Sequence, residues 1–152
     1  MQYVEAPNEL NNHKPLVFLA GGISQCKNWQ SDLVGELSNC DCVIINPRRE
    51  NYIIGDEKMN LEQIAWEYKY LRLSNILVFY FCEETVCPIT LFEYGGVLER
   101  CKDYLSNVIV YSEPNYPRKS DLIIQSRLAL KHVHTNYLEF VNNIKSRIQN
   151  FR

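Results

Sequence analysis

Six consecutive apolar residues, Ile76–Phe81 (ILVFYF), constrain the fold of this 152-residue chain more than any other stretch. The run is short and rich in β-branched and aromatic side chains. A half-buried strand would alternate apolar and polar residues; this one does not, so both of its faces must be covered. A strand of that kind belongs to a parallel sheet with helices above and below. The flanking sequence agrees. Further apolar runs at residues 16–20, 42–45, 107–111 and 132–133 alternate with stretches of helical period. Residues 29–37 carry Trp29, Leu33, Val34 and Leu37 on one stripe, with Asn28 as the cap. Residues 60–73, opened by Asn60, carry Ile64, Trp66, Leu71 and Leu73. Helices also fit residues 88–101, residues 121–130 and the stretch after Asn136, where Leu138, Val141, Ile144 and Ile148 share a face. Five strand–helix units predict an α/β, flavodoxin-like (Rossmann-like) three-layer sandwich. Its five-stranded parallel sheet, counted from residue 16, takes the order 2-1-3-4-5. Residues 1–15, with Pro7, Pro15 and several asparagines, read as an extended arm, and residues 16–152 as a single domain.

In such sheets ligands collect outside the carboxyl ends of the strands, so the turns at that edge hold the candidate chemistry. The first is Gly21-Gly22, a tight turn or a place where a ligand approaches the backbone. The second is Asn46-Pro47-Arg48-Arg49, whose arginines suit a phosphate or carboxylate if they are not simply solvated. The polar residues 50–58 that follow are long enough for a lid. The third turn follows ILVFYF: Glu83, Glu84 and Thr85, then Pro88 and Thr90 announcing a helix, then Glu93. By spacing alone Thr90-Leu91-Phe92-Glu93 is a capping box that folds Glu93 back onto the backbone. The alternative puts Glu93 in the first helical turn, held ionised by the helix dipole and facing a ligand as nucleophile or base. Glu67 is either a solvent-face charge or a second carboxylate of the same site.

Composition narrows the partners. A formal charge of −2 offers no basic excess for a nucleic acid polymer. No apolar run reaches the length of a membrane span, and residues 1–15 are too polar for a secretion signal, so a cytoplasmic protein with no membrane partner is expected. The six cysteines show no CxxC and no close histidine; Cys40 and Cys42 stand one residue apart, and Cys42, Cys82 and Cys101 sit in apolar segments. They are expected to be reduced core or near-core residues, with no metal site and no disulfide framework. His132 and His134 alternate along a short strand without a third ligand and read as structural. No phosphate-binding loop follows the first strand, which weighs against an electron carrier, and no cofactor is expected.

Taken together, FLAGGI (residues 18–23), Trp29-Gln30, NPRR (46–49), QIAWE (63–67) and EETVCPITLFEYG (83–95) resemble the nucleoside 2-deoxyribosyltransferase family. The likeness is to its shorter branch, with FLAGSI, NPRR, QIxWE and ETxxPIxLxELG motifs, and five motifs in order are far more specific than one. The resemblance implies an enzyme of nucleotide salvage. It would cleave the N-glycosidic bond of a 2′-deoxynucleoside through a covalent deoxyribosyl-glutamate and pass the sugar to a free nucleobase. It further implies Glu93 as nucleophile, Glu67 holding the nucleoside, Phe18 near the sugar, and Glu84 as an acid or sugar-gripping group. Gly21, Gly22, Trp29, Asn46 and Arg48 would line the substrate. The family forms homodimers or larger homo-oligomers with shared sites, and Asp121 stands where an asparagine reaches the neighbouring sugar. Gly22 in place of serine, Tyr94 in place of leucine and NYPRKSDL in place of YWRKGNV depart from the pattern. Two alternatives remain. One is a hydrolase of 2′-deoxynucleoside 5′-monophosphates, with Arg48, Arg49, Arg118 and Lys119 as phosphate groups. The other is a non-catalytic nucleoside- or nucleotide-binding domain.

Overall fold

A computed structural model describes residues 1–9, 14–53, 55–100 and 107–151. Along the chain run β1 (Gln2–Glu5), β2 (Leu16–Gly21), α1 (Trp29–Glu36), β3 (Val43–Asn46), α2 (Glu57–Leu73), β4 (Ile76–Phe81), α3 (Pro88–Arg100), β5 (Val108–Ser112), α4 (Lys119–Leu128), β6 (Val133–His134) and α5 (Tyr137–Gln149). β4 is buried at every position and pairs in parallel with β2 on one side and β5 on the other. The doubly covered strand expected from ILVFYF thus sits within a parallel α/β sheet flanked by helices.

The strand count needs correction, while the five strands from residue 16 onward keep the expected 2-1-3-4-5 order. The sheet has six strands, ordered β1-β3-β2-β4-β5-β6. The addition is β1, from the segment read as an extended arm, which pairs in parallel with β3 from Gln2↔Val43 to Glu5↔Asn46. Its partner decides its structure: Val4 is buried, and the Tyr3 hydroxyl accepts a 2.7 Å hydrogen bond from Asn46 Nδ2. The arm continues across the sheet edge to α2, where the Asn8 carbonyl accepts from Trp66 Nε1 at 2.9 Å.

Alternating side chains divide the core into two layers. On one face Tyr80 stacks on Trp29 of α1 with ring centroids 4.4 Å apart, and Tyr111 packs on Phe140 of α5 at 5.1 Å. On the other, Phe79 and Phe81 meet Tyr94 of α3 at 5.0 and 5.8 Å, and Phe18 meets Trp66 of α2 at 6.3 Å. α4 packs beside α3, tied by a 2.8 Å hydrogen bond between the Tyr94 and Ser126 hydroxyls.

Caps fix where the helices begin. Asn28 and Asn136 accept from Ser31 N and Glu139 N, as their sequence positions predict. α2 starts earlier than expected. Asp56, not Asn60, is its cap, accepting from Met59 N at 2.9 Å, and its carboxylate suits the positive helix end. The helix therefore absorbs Glu57 and Lys58 from the expected lid. Its buried face is Gln63, Trp66, Tyr70 and Leu71, whereas Ile64 and Leu73 face solvent. Likewise Phe140 takes the place in α5 expected of Leu138, which is exposed. Among the described residues no helix is long and apolar enough to cross a membrane. Cys101 lies outside the described residues.

Candidate active site

α3 starts at Pro88, whose fixed φ and missing N–H suit a first helical position. Two consequences follow for Glu93. Thr90 falls inside the helix and is buried, so it cannot cap, and the capping box predicted by spacing does not form. Glu93 falls in the second turn, beyond the orphan N–H groups that carry the dipole's positive end, so the expected first-turn stabilisation is absent. Among the described residues its carboxylate has no hydrogen bond and no cation.

The side chain is half-buried and neighbours Glu67 of α2, on the same face of the sheet. Burial, and then the negative charge of Glu67, push the Glu93 carboxyl up to about 7. Glu67 is itself half-buried and raised by burial, an effect opposed by a 2.8 Å hydrogen bond from Gln63 Nε2. The same nitrogen donates to the Pro47 carbonyl at 2.7 Å. Gln63, four residues before Glu67 on the helix, therefore locks that carboxylate to the turn after β3. Glu67 is not a solvent-face charge. Near neutral pH the Glu93 carboxyl is therefore divided between its protonated and ionised forms.

The remaining candidates divide. Phe18 is buried beneath α2, on the face of the carboxylate pair. Gly21 and Gly22 leave room for packed neighbours. A Cβ on Gly21 would lie 2.4 Å from the Trp29 ring and 2.7 Å from the Tyr80 carbonyl; one on Gly22 would lie 2.3 Å from Cys26 Sγ. Trp29 is buried on the opposite face and donates Nε1–H to the Gly22 carbonyl at 3.0 Å. Asn46 is consumed by Tyr3 and by the Arg48 N–H, which it accepts at 3.0 Å. Arg48 is a loop clamp. Its Nε donates to Gln30 Oε1 at 3.0 Å, and its Nη2 to the carbonyls of Gly22, Ile23, Cys26 and Lys27 at 2.9–3.4 Å. Arg49 pairs with Glu62 at 3.0 Å, Arg118 pairs with Asp121 at 3.0 Å, and Lys119 donates to the Pro114 carbonyl at 3.2 Å. Glu84 is exposed and accepts a long 3.5 Å bond from Lys27 N. His132 and His134 meet edge to face, and burial lowers the pKa of His134.

Two constellations were not legible from spacing. Glu113, the residue after β5, is buried, accepts from the Tyr80 hydroxyl at 2.5 Å and from Glu83 N at 2.8 Å, and pairs with Lys27. Burial alone would raise its carboxyl, but these partners outweigh burial and hold it low. With Trp29, Tyr111 and Tyr137 it lines a cleft of about 300 Å³ on the sheet face away from Glu93. Its position directly beyond a strand's carboxyl end was the available signal. The second constellation is a disulfide, Cys26–Cys82, which corrects the expectation of reduced cysteines. The two lie 56 residues apart but at the carboxyl ends of the adjacent strands β2 and β4, with Cα atoms 6.5 Å apart.

A family model described as nucleoside 2-deoxyribosyltransferase like matches residues 14–111. That span contains β2 through most of β5 and both Glu67 and Glu93, and ends before Glu113 and Asp121. No curated protein sequence matches the chain.

Proposed function

The chain belongs to the nucleoside 2-deoxyribosyltransferase-like family, and from that premise we propose that it cleaves the N-glycosidic bond of a 2′-deoxynucleoside and transfers the sugar to another nucleobase. One observation carries the proposal: Glu93, released from any capping role, lies half-buried beside Glu67 with its carboxyl raised to about 7.

Departure of the base from C1′ builds positive charge on the sugar, and a carboxylate within reach stabilises that charge and bonds to it. The departing base needs a proton. The Glu93 carboxyl is part protonated near neutrality, and delivery of its proton to the base leaves Glu93 as the anion that attacks C1′. A second base then takes the sugar from Glu93 by attack on the vacated face, and the proton returns to the pair. Two inversions give net retention and ping-pong kinetics. Phe18 and Trp66 form the apolar floor that limits competing attack by water. Glu84 stays in the proposal as a sugar-contacting group on the exposed turn.

The monophosphate hydrolase is less well supported, since Arg48, Arg49, Arg118 and Lys119 all have protein partners. The proposed assembly is a homodimer or larger homo-oligomer. Leu61 and Ile64 on α2 and Ile89 and Phe92 on α3, the last 82 % exposed, give the two helices that carry the pair uncovered apolar surface suited to a second copy.

Incubation with a 2′-deoxynucleoside and a different free base tests the reaction. An exchanged nucleoside supports transfer, and free deoxyribose supports hydrolysis. Glu93→Ala should stay folded and lose turnover by several powers of ten; exchange at the wild-type rate by that folded variant removes Glu93 from the mechanism.

A further inference from the structure

Three of the six cysteines converge at one point. Beside the Cys26–Cys82 disulfide, Cys87 Sγ lies 3.5 Å from Cys82 Sγ, and the three sulfurs lie within 4.8 Å of one another. Gly22 makes room for them, because a Cβ there would stand 2.3, 2.6 and 3.1 Å from the sulfurs of Cys26, Cys82 and Cys87. Cys82 and Cys87 are buried, and Cys26 is half-exposed. Among the free thiols, Cys42 is buried apart from the cluster.

A thiol in van der Waals contact with a disulfide is the ground state for thiol–disulfide exchange. We propose that Cys26, Cys82 and Cys87 form an exchange site with two oxidised isomers, Cys26–Cys82 and Cys82–Cys87, and that Cys26 is the sulfur it presents to small-molecule thiols and disulfides. In the internal step Cys87 gives up its proton and its thiolate bonds to Cys82 Sγ. The Cys26–Cys82 bond breaks, its electron pair leaves on Cys26 Sγ, and that sulfur takes the proton. No oxidant is consumed. Oxidation of the reduced cluster uses a small-molecule disulfide, which accepts two electrons and two protons and leaves as two thiols. Burial raises the Cys87 thiol, while backbone hydrogen bonds to Cys82 and Gly22 oppose that rise, so the internal step accelerates with pH.

The isomers fasten different parts of the same sheet edge. Cys26–Cys82 ties residues 22–28, the loop gripped by Arg48, to the end of β4. Cys82–Cys87 releases that loop and closes residues 83–86, the turn that carries Glu84 and opens α3. The cluster thereby reads the thiol poise of its surroundings into the loop beside the proposed site.

The test equilibrates the full chain in buffers of reduced and oxidised glutathione, quenches with acid, alkylates, and maps disulfides after combined cleavage at basic residues and at glutamate. Cleavage at Glu83 and Glu84 separates Cys82 from Cys87, so the two isomers give different linked peptides. Both linkages should appear, with exchange between them rising about tenfold per pH unit below the Cys87 pKa. Glutathione should add at Cys26. Cys87→Ser should lose the second linkage, and Cys26→Ser should lose the adduct and still oxidise to Cys82–Cys87. The proposal is overturned by a single Cys26–Cys82 linkage at every poise and pH, or by a folded Cys26→Ser protein that stays reduced where wild type oxidises. It is equally overturned if the reduced chain retains one equivalent of a thiophilic metal that shields all three sulfurs. None of these readouts uses nucleoside turnover, so this proposal and the proposed reaction fail separately.

Discussion

Replacing Glu93 with glutamine should stabilise the protein above acidic pH while abolishing turnover. The folded chain raises this carboxyl from 4.5 to about 7. At about 1.4 kcal/mol per pH unit, that shift corresponds to about 3 kcal/mol of native-state stability lost when the group must be charged. The sign follows from proton counting. Below pH 4.5 the carboxyl is protonated in both states and nothing is lost. Between 4.5 and 7 the unfolded chain releases the proton while the folded chain keeps it, so stability falls as pH rises. Above 7 the folded chain is ionised too and the full penalty is in place. Glutamine keeps nearly the same shape without the charge. The Glu93→Gln variant should therefore gain about 3 kcal/mol at pH 8, close to nothing at pH 4, and an intermediate amount at pH 6. At roughly 2–4 °C per kcal/mol for a domain of this size, the melting temperature at pH 8 rises by about 6–12 °C. Urea unfolding of both proteins at the three pH values, with slopes compared to confirm equal exposed surface, measures the difference. A gain independent of pH, or a loss at pH 8, would refute the claim that Glu93 is a charge the fold holds at a cost. A gain that tracks pH, accompanied by lost turnover, would mark the residue as kept for chemistry against stability.

Other perturbations probe its surroundings. Glu67→Gln removes the neighbouring negative charge, so the Glu93 carboxyl should fall and the alkaline limb of kcat/KM against pH, where Glu93 loses the proton it delivers, should move to lower pH; an unmoved limb would mean that the two carboxyls do not communicate. Arg48→Ala strips the donors from four carbonyls and from Gln30, and should cost about 2–3 kcal/mol and amide-exchange protection across residues 22–28. Native protection there would show that the clamp is redundant. Gly22→Ala should cost about 1–3 kcal/mol in melting experiments, since the added Cβ would stand 2.3 Å from Cys26 Sγ and 2.6 Å from Cys82 Sγ. Unchanged melting would show that the sulfurs give way without cost.

What could be read from the residues alone was whatever depends on neighbours along the chain. ILVFYF gave a doubly buried strand because its composition leaves no other way to satisfy six apolar side chains, and Asn28 and Asn136 marked helix starts through bonds that span three residues. The misreadings came where two local signals competed. Thr90 and Pro88 both announce a helix, and Pro88 prevails because its ring already holds a helical φ. Asp56 and Asn60 are both capping residue types, and Asp56 takes the role by accepting from Met59 N. What escaped entirely depends on strand adjacency. Gln2–Glu5 is too short and polar to declare itself, and becomes a strand through β3. Cys26, Cys82 and Cys87 follow no ligand spacing and meet because β2 and β4 end side by side. The five motifs of the family resemblance singled out Glu67 and Glu93, which the fold brings beside one another. The same likeness could not reveal that Arg48, Asn46 and the two glycines hold the loops together, since a residue needed for architecture and one needed for contact leave the same mark in a motif.

The first strand deserves a consequence of its own. With β1 in place, the all-buried Val43–Asn46 is an inner row of the sheet. Stripped of residues 1–9, that row becomes a bare selvedge of unmet amide groups and aliphatic side chains, a template onto which another chain can knit. The same cut unlatches Trp66 from the Asn8 carbonyl, one residue away from Glu67. Trimming at the amino end therefore tugs on one of the two carboxylates as well as on solubility, though more than fifty residues of sequence lie between them.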